Sequence, residues 1–533
     1  MHSDSGHTTS IWMDTATVPS YPALARDLRC DVCVVGAGIA GLSTAYLLGR
    51  AGRHVVVLDD GVVGGGESGR TTAHLTAALD DGYAAIERVH GELGARLAAD
   101  SHRSAIDRIE RIVLSEGIDC AFERVDGYLF LGAGDDESVL DEELEAAHRA
   151  GLSAVERVSR APLGFFDTGV CLRYPDQAQF HVLRYLAGLA RAIVRDGGQI
   201  YCGSHVTEVA NGEPAHVTTA DGRTVNADSL VIATNSPIND WVAMHTKQAA
   251  YRTYVVGARI PRGAVPRGLY WDTPDPYHYI RLDSGTSRRD DVLIVGGEDH
   301  KTGQEDDPES RFRALEQWTR ARFPMVRDFE YRWSGQVLEP VDYMAFIGRN
   351  PGDARHIFIA TGDSGNGMTH GMIAGMLLTD LITERPNPWE SLYEPSRISL
   401  RTASEFAKEN LNVAAQYSDY LTPGDVARVD QIRRGTGAVI RRGPRKIAVY
   451  RAEDGALHER SAMCTHLYCI VEWNAVERTW DCPCHGSRFD AYGKVVNGPA
   501  VADLAMIEPD DTERPAAQHP LRVDETTLGE STA

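Results

Sequence analysis

Cys30-Asp-Val-Cys-Val-Val-Gly-Ala-Gly-Ile-Ala-Gly41 decides the fold of the first part of this chain. Val32, Val34 and Val35 are β-branched and predict a short strand. Leu42 to Arg50 keeps helical spacing and stops at Gly52, and His54-Val-Val-Val-Leu-Asp59 reads as a second buried strand. The order is β-α-β, the opening of a dinucleotide-binding fold. In Gly36-x-Gly38-x-x-Gly41 the first glycine permits a tight turn and the second lets backbone approach a pyrophosphate. The third lets the helix pack closely on the strand, and the helix N-terminus offers N–H donors and a positive dipole end. Asp59 ends the second strand and can accept hydrogen bonds from both ribose hydroxyls. Such a glycine pattern also occurs in ordinary turns. Strand, helix and acid in register point to a dinucleotide site.

The same reading extends along the chain. Residues 1–28 read as an irregular arm. Helical patterns run over 83–117, 137–150, 180–196 and 311–323. Strands are expected at 127–132, 199–202, 229–234 and 356–361, with a hairpin turning at Asp221-Gly222 and a strand-rich stretch over 251–298. A glycine-rich turn and a helix over 372–383 follow the last strand. Residues 386–425, with four prolines and one polar helix, read as a linker. Short strands and turns then suggest a small all-β unit over 426–525, followed by a tail, 526–533.

The chain has 533 residues, more than one domain holds. Apolar residues make up 43 % and charged residues 24 %, which excludes a disordered or collagen-like protein. A net charge of −22 argues against nucleic acid and anionic membranes. It suits docking of a basic redox partner. No apolar run is long enough for a membrane span, and no signal peptide is legible, so a cytoplasmic location is the default expectation. Five of the nine cysteines are scattered and read as buried thiols. The other four crowd into residues 464–484 and suggest a metal site.

Four separated segments resemble the D-amino-acid-oxidase-like (DAO) family of FAD oxidoreductases over roughly residues 29–385. They are Gly36 to Gly41 with Asp59, Ser68-Gly-Arg70, Ser229 to Asn235, and Thr361-Gly-Asp-Ser-Gly-Asn-Gly-Met368. The resemblance implies an α/β FAD-binding Rossmann-like module of the glutathione-reductase type, interleaved with a substrate lobe, and favours FAD over NAD. It implies flavin contacts from Ser68, Arg70, Thr71, Thr72, Val206 and Thr234. Gly362, Asp363, Gly365, Asn366, Gly367 and Met368 would lie beside the flavin ring and ribityl chain. FAD is expected to be non-covalent, although His74 lies near the expected flavin edge.

Cys464-Thr-His466-Leu-Tyr-Cys469 is followed by Cys482-Pro-Cys484-His485-Gly-Ser487. Two cysteines and two histidines suit either tetrahedral zinc or a Rieske [2Fe–2S] cluster. The whole pattern resembles the Rieske domain. That resemblance implies Cys464, His466, Cys482 and His485 as ligands, a disulfide between Cys469 and Cys484, and a covering loop at Pro499. It also puts a hydroxyl donor to the cluster at Ser487 and a tyrosine at position 489, where this chain has Phe489. The potential is therefore expected to be lower than in respiratory members.

The family's amino-acid-oxidising members hold a substrate carboxylate with arginine. Here Glu339 occupies one such place and Gly365 another, which favours a cationic amine over a plain α-amino acid. Tyr279 and Arg281 share one face of the expected strand 277–282 and, with Glu339, are the candidate catalytic residues. The reading is a dehydrogenase that passes electrons from reduced flavin to the Rieske cluster and then to an external acceptor protein. Two alternatives remain at this stage: reversed flow feeding a flavin reductase or monooxygenase, and a non-catalytic redox sensor.

Overall fold

The computed structural model describes residues 5–239, 244–285, 289–304, 307–353, 355–398 and 400–507. The expected tail, 526–533, and the end of the expected all-β unit, 508–525, lie outside them. The expected β-α-β opening forms as strand Leu28–Val35, helix Ile39–Arg50 and strand Val55–Leu58. Leu28–Val35 runs parallel to Val55–Leu58 on one side and to Thr224–Ile232 on the other. Ile357–Thr361 and Gln199–Tyr201 extend this sheet in parallel, and Phe346–Arg349 closes one edge antiparallel. Every residue of Val55–Leu58 is buried, as a strand covered on both faces requires.

A second sheet of nine strands forms the other lobe. Its long antiparallel strands are Gln248–Pro261, Asp290–Lys301 and Phe329–Pro340. The chain passes repeatedly between the two sheets, so the lobes are interleaved. Helix Gly367–Ile382 begins five residues before the expected position, directly at the end of the glycine-rich turn.

Residues 5–28 differ from the expected irregular arm. Ser10 accepts a hydrogen bond from Met13 N and caps a short helix, Ile11–Thr15. Ile11, Trp12 and Met13 are buried, because the helix packs into the main core of the flavin module. The 386–425 stretch also packs. Trp389, Leu392 and Tyr393 are buried, and the Trp389 indole donates to Asp100 at 2.9 Å.

The C-terminal unit consists of a three-stranded sheet, Thr436–Arg442, Arg445–Arg451 and Leu457–Ser461, and a four-stranded sheet running from Glu472 to Asn497. No helix among the described residues is long and apolar enough to cross a membrane.

Candidate active site and cluster site

A deep cavity runs between the two lobes. One end is walled by Gly36, Gly38, Asp59 and Val206, and the other by Tyr277, Tyr279, Asp299 and Glu339. At the first end, Gly36 has φ +107° and Gly41 presses on it: a Cβ on Gly41 would lie 1.9 Å from the Gly36 carbonyl oxygen. Gly38 caps the helix without a side chain, so the helix N-terminus faces the cavity. Asp59 is fixed by Ala37 N at 2.6 Å and Gly61 N at 2.9 Å. Ser68 Oγ accepts from Ile39 N at 3.0 Å and ties the Ser68–Thr72 loop to the same turn.

Two tryptophans that gave no sequence signal hold that loop. Trp12 Nε1 donates to the Thr71 carbonyl at 2.6 Å, and Trp333 Nε1 to the Arg70 carbonyl at 2.8 Å. Thr71, Thr72, Thr234, Gly362, Asp363, Gly365, Asn366, Gly367 and Met368 all border the cavity. His74 and His370 border it too. Burial, aided by the Arg281 charge, pushes His74 down to about 3; burial pushes His370 down to about 4, so both rings are neutral at pH 7.

The three candidate catalytic residues separate. Tyr279 lines the cavity, shares a 2.5 Å hydrogen bond with Thr253 Oγ1 and meets the His74 ring edge-on. Glu339 lines it as well, and burial among Asp81, Asp299 and Asp80 raises its carboxyl well above the usual range. Arg281 does not line it. Its guanidinium donates to the carbonyls of Thr72, Ala73 and Phe180 at 2.7–3.0 Å and lies over the Trp12 ring. It braces the loop from behind. Arg70 borders the cavity with its main chain, but its guanidinium turns away. It pairs at 3.1 Å with Glu477 of the C-terminal unit.

In the C-terminal unit, Cys464 and Cys482 are buried free thiols, while Cys469 and Cys484 form a disulfide that ties the two cysteine–histidine loops. The His466 and His485 rings lie 5.1 Å apart. His485 Nδ1 is buried with no hydrogen-bond partner. Burial and the neighbouring His466 and His245 push this imidazole down to about 3, which leaves it neutral and able to ligate. An orphaned ring nitrogen, a second imidazole and two buried thiols fit a two-histidine, two-cysteine centre. Ser487 Oγ accepts from Ala500 N at 3.1 Å and so anchors the Pro499 loop. Phe489 is fully buried.

The family model described as FAD dependent oxidoreductase (DAO) matches residues 31–381, and that for the Rieske [2Fe-2S] domain matches residues 422–508. The chain belongs to the DAO family of FAD-dependent oxidoreductases. It carries a Rieske domain at its C-terminal end. YhfW of Bacillus subtilis, named for a Rieske 2Fe-2S iron-sulfur protein, is 33 % identical over 505 residues, which cover 94 % of this chain and 97 % of that one. Gamma-glutamylputrescine oxidoreductase of Escherichia coli is 28 % identical over 392 residues, 70 % of this chain and 89 % of the relative. Among solved structures, glycine oxidase from Geobacillus kaustophilus superposes with a TM-score of 0.60 at 18 % identity, covering 70 % of this chain and 99 % of that one. The cofactors of this DAO-family chain are FAD and a [2Fe–2S] cluster.

Asp59→Ala is expected to weaken FAD binding by roughly 1–3 kcal/mol through lost hydrogen bonds. Equilibrium dialysis of the apoprotein against FAD checks this. Unchanged affinity would place the ribose elsewhere.

Proposed function

We propose that this flavoprotein is an amine dehydrogenase whose electrons leave through the Rieske unit to an external acceptor rather than to oxygen. One observation carries the reading: the two units share a wall of the cavity. Val495 to Gly498 and Ala500 of the Rieske unit border it. Gln336, also in that wall, donates from Nε2 to the carbonyl of Gly486 at 3.0 Å, beside the cluster-ligand position His485.

When bound, FAD accepts two electrons as a hydride and can release them singly, and the cluster carries one at a time. The chain's own residues supply position. His245, from the flavin module, packs against the imidazoles of His466 and His485 at 4.9 and 6.1 Å. Both ligand histidines are therefore buried against the flavin module, at 6 % and 7 % exposure, so an acceptor protein must approach the Rieske unit from another side. Tethering keeps the donor and acceptor sites at high effective concentration, so the first transfer needs no diffusing carrier. The neutral rings of His74 and His370 leave the substrate end of the cavity, among the described residues, without a fixed cation to hold a carboxylate. An amine then fits better than an α-amino acid. The E. coli relative, named for an amine-containing compound, supports the same class.

Cys482→Ser is expected to leave anaerobic flavin bleaching by amine intact and to abolish steady-state turnover with a one-electron protein acceptor. Stopped-flow absorbance and acceptor reduction measure the two halves. Turnover of the variant in air as fast as the parent with any acceptor would make the enzyme an oxidase with a structural cluster.

A further inference from the structure

The substrate end of the cavity is walled by carboxylates from four distant segments. Asp80 follows strand His74–Leu75, Asp299 lies on Asp290–Lys301, Glu339 on Phe329–Pro340, and Asp363 just beyond Ile357–Thr361. All four border the cavity. Two of them are well partnered. Asp80 accepts from Tyr277 Oη at 2.5 Å and from Asn366 Nδ2 at 3.3 Å. Asp363 accepts from Leu338 N at 3.3 Å. The other two are not. Thr253 reaches the Asp299 carboxyl group, but its Oδ1 is buried with no hydrogen-bond partner. Glu339, half-buried at the cavity wall, has no hydrogen bond or ion pair to its carboxyl group among the described residues.

Among the described residues no cation answers this charge at the substrate end; His205, whose proton is favoured by Asp60, sits beside Val206 at the other end. Arg70 is committed to Glu477, Arg281 to three carbonyls behind the wall, and His74 and His370 are neutral. Burial and mutual repulsion raise Asp299 to about 7 and Asp80, by burial alone, to about 6. Grouped carboxyls of this kind are costly to ionise in a dry site unless positive charge enters with the ligand. One ammonium at the reacting carbon neutralises one acid. The second unpartnered acid calls for a second ammonium.

We infer that the substrate is a carboxylate-free amine with at least two cationic nitrogens, a diamine or polyamine, whose distal ammonium is held by the Glu339 carboxyl and Asp299 Oδ1. This rests on the amine-dehydrogenase reading above and narrows it.

The test compares matched ligands on the holoenzyme. Anaerobic titration with 1,4-diaminobutane, spermidine, butylamine and glycine is followed by flavin bleaching. Binding of the same four to dithionite-reduced enzyme is followed by calorimetry. The diamine or spermidine is expected to act at concentrations at least about tenfold below butylamine in both assays, the worth of one added charged hydrogen bond. Glu339→Gln and, separately, Asp299→Asn should shrink that ratio toward one, with full FAD content reporting an intact fold. Butylamine or glycine acting at equal or lower concentration than the diamine overturns the inference and leaves the amine reading standing if butylamine bleaches the flavin. Bleaching by none of the amines overturns both.

Discussion

Replacing Glu477 with alanine is expected to lower the stability of the docked enzyme by about 3–5 kcal/mol, because it strands buried guanidinium groups without an anion. Glu477 and Arg70 have no exposed side-chain surface, and neither has Arg252, which lies 3.4 Å from the same carboxylate oxygen. Ser334 Oγ and Thr8 Oγ1 donate to Glu477 Oε1, and Thr8 N to Oε2 at 3.0 Å. Next to this group Arg488 joins Asp481, Glu67 and the carbonyl of Ser5. Burial alone would raise the Glu477 carboxyl. Arg70, then Arg252 and Arg488, with the Ser334 hydroxyl, overcome that and hold it far below the usual carboxylate range. The folded protein therefore binds fewer protons here than the unfolded chain. The stabilisation is full above the ordinary carboxylate value, near pH 4.5, and is lost as the pH falls below it. Denaturant unfolding at pH 7 and pH 4 checks both statements. Glu477→Gln keeps the shape and should lose most of the parent's excess acid sensitivity. An unfolding midpoint unchanged in either variant would mean that the cluster contributes nothing to docking.

Gly36→Val is expected to yield protein with less than about a tenth of its FAD. A Cβ at Gly36 would sit 2.3 Å from the Ala233 carbonyl oxygen, which is backbone and cannot swing aside, and φ is already +107°. The turn and the pairing of the two central strands would both distort. Gly38→Val separates cofactor loss from misfolding. Its close contact is with the Ser68 hydroxyl, at 2.9 Å, which a side-chain rotation relieves at the loss of one hydrogen bond from Ile39 N. That variant should fold, by circular dichroism and thermal melting, yet purify without FAD, because the added side chain fills the space a pyrophosphate needs. Full flavin occupancy of Gly38→Val would show that the glycine turn is not the pyrophosphate site.

The parts legible in the sequence are those whose chemistry is local. Gly36, Gly38, Gly41 and Asp59 lie within one β-α-β unit, and the Cys464 and Cys482 loops each carry two ligand types within four residues. Periodicity likewise located the helix Tyr83–Glu116 and the hairpin turning at Asp221-Gly222. What stayed hidden depends on long reach. Glu477 stands between Val476 and Arg478 in a polar turn and reads as a surface acid; its partner Arg70 is 407 residues away. Alternation puts Tyr279 and Arg281 on one face, but a face assignment says nothing of where the long Arg281 side chain ends. Trp12 looked like part of a loose arm because an isolated five-residue helix has no periodicity to detect. Asp80 and Asp299 carry no motif and become neighbours only when the two lobes close.

The threading of Ser5 and Thr8 between the two units bears on how the polypeptide matures on the ribosome. These residues emerge among the first, and their partners Glu477 and Arg488 emerge 469 and 483 residues later. At about 5–20 residues per second that gap lasts roughly 25–100 s. Once Arg252 has emerged, both it and Arg70 wait for the carboxylate of Glu477, which is synthesised later. The nascent flavin module thus lacks the anion for its Arg70 and Arg252 pair until the most distant sequence arrives. Slow translation through residues 400–480 should lengthen the time it spends available to chaperones and proteases, so synonymous codon choice in the Rieske segment becomes a determinant of how much flavin module survives.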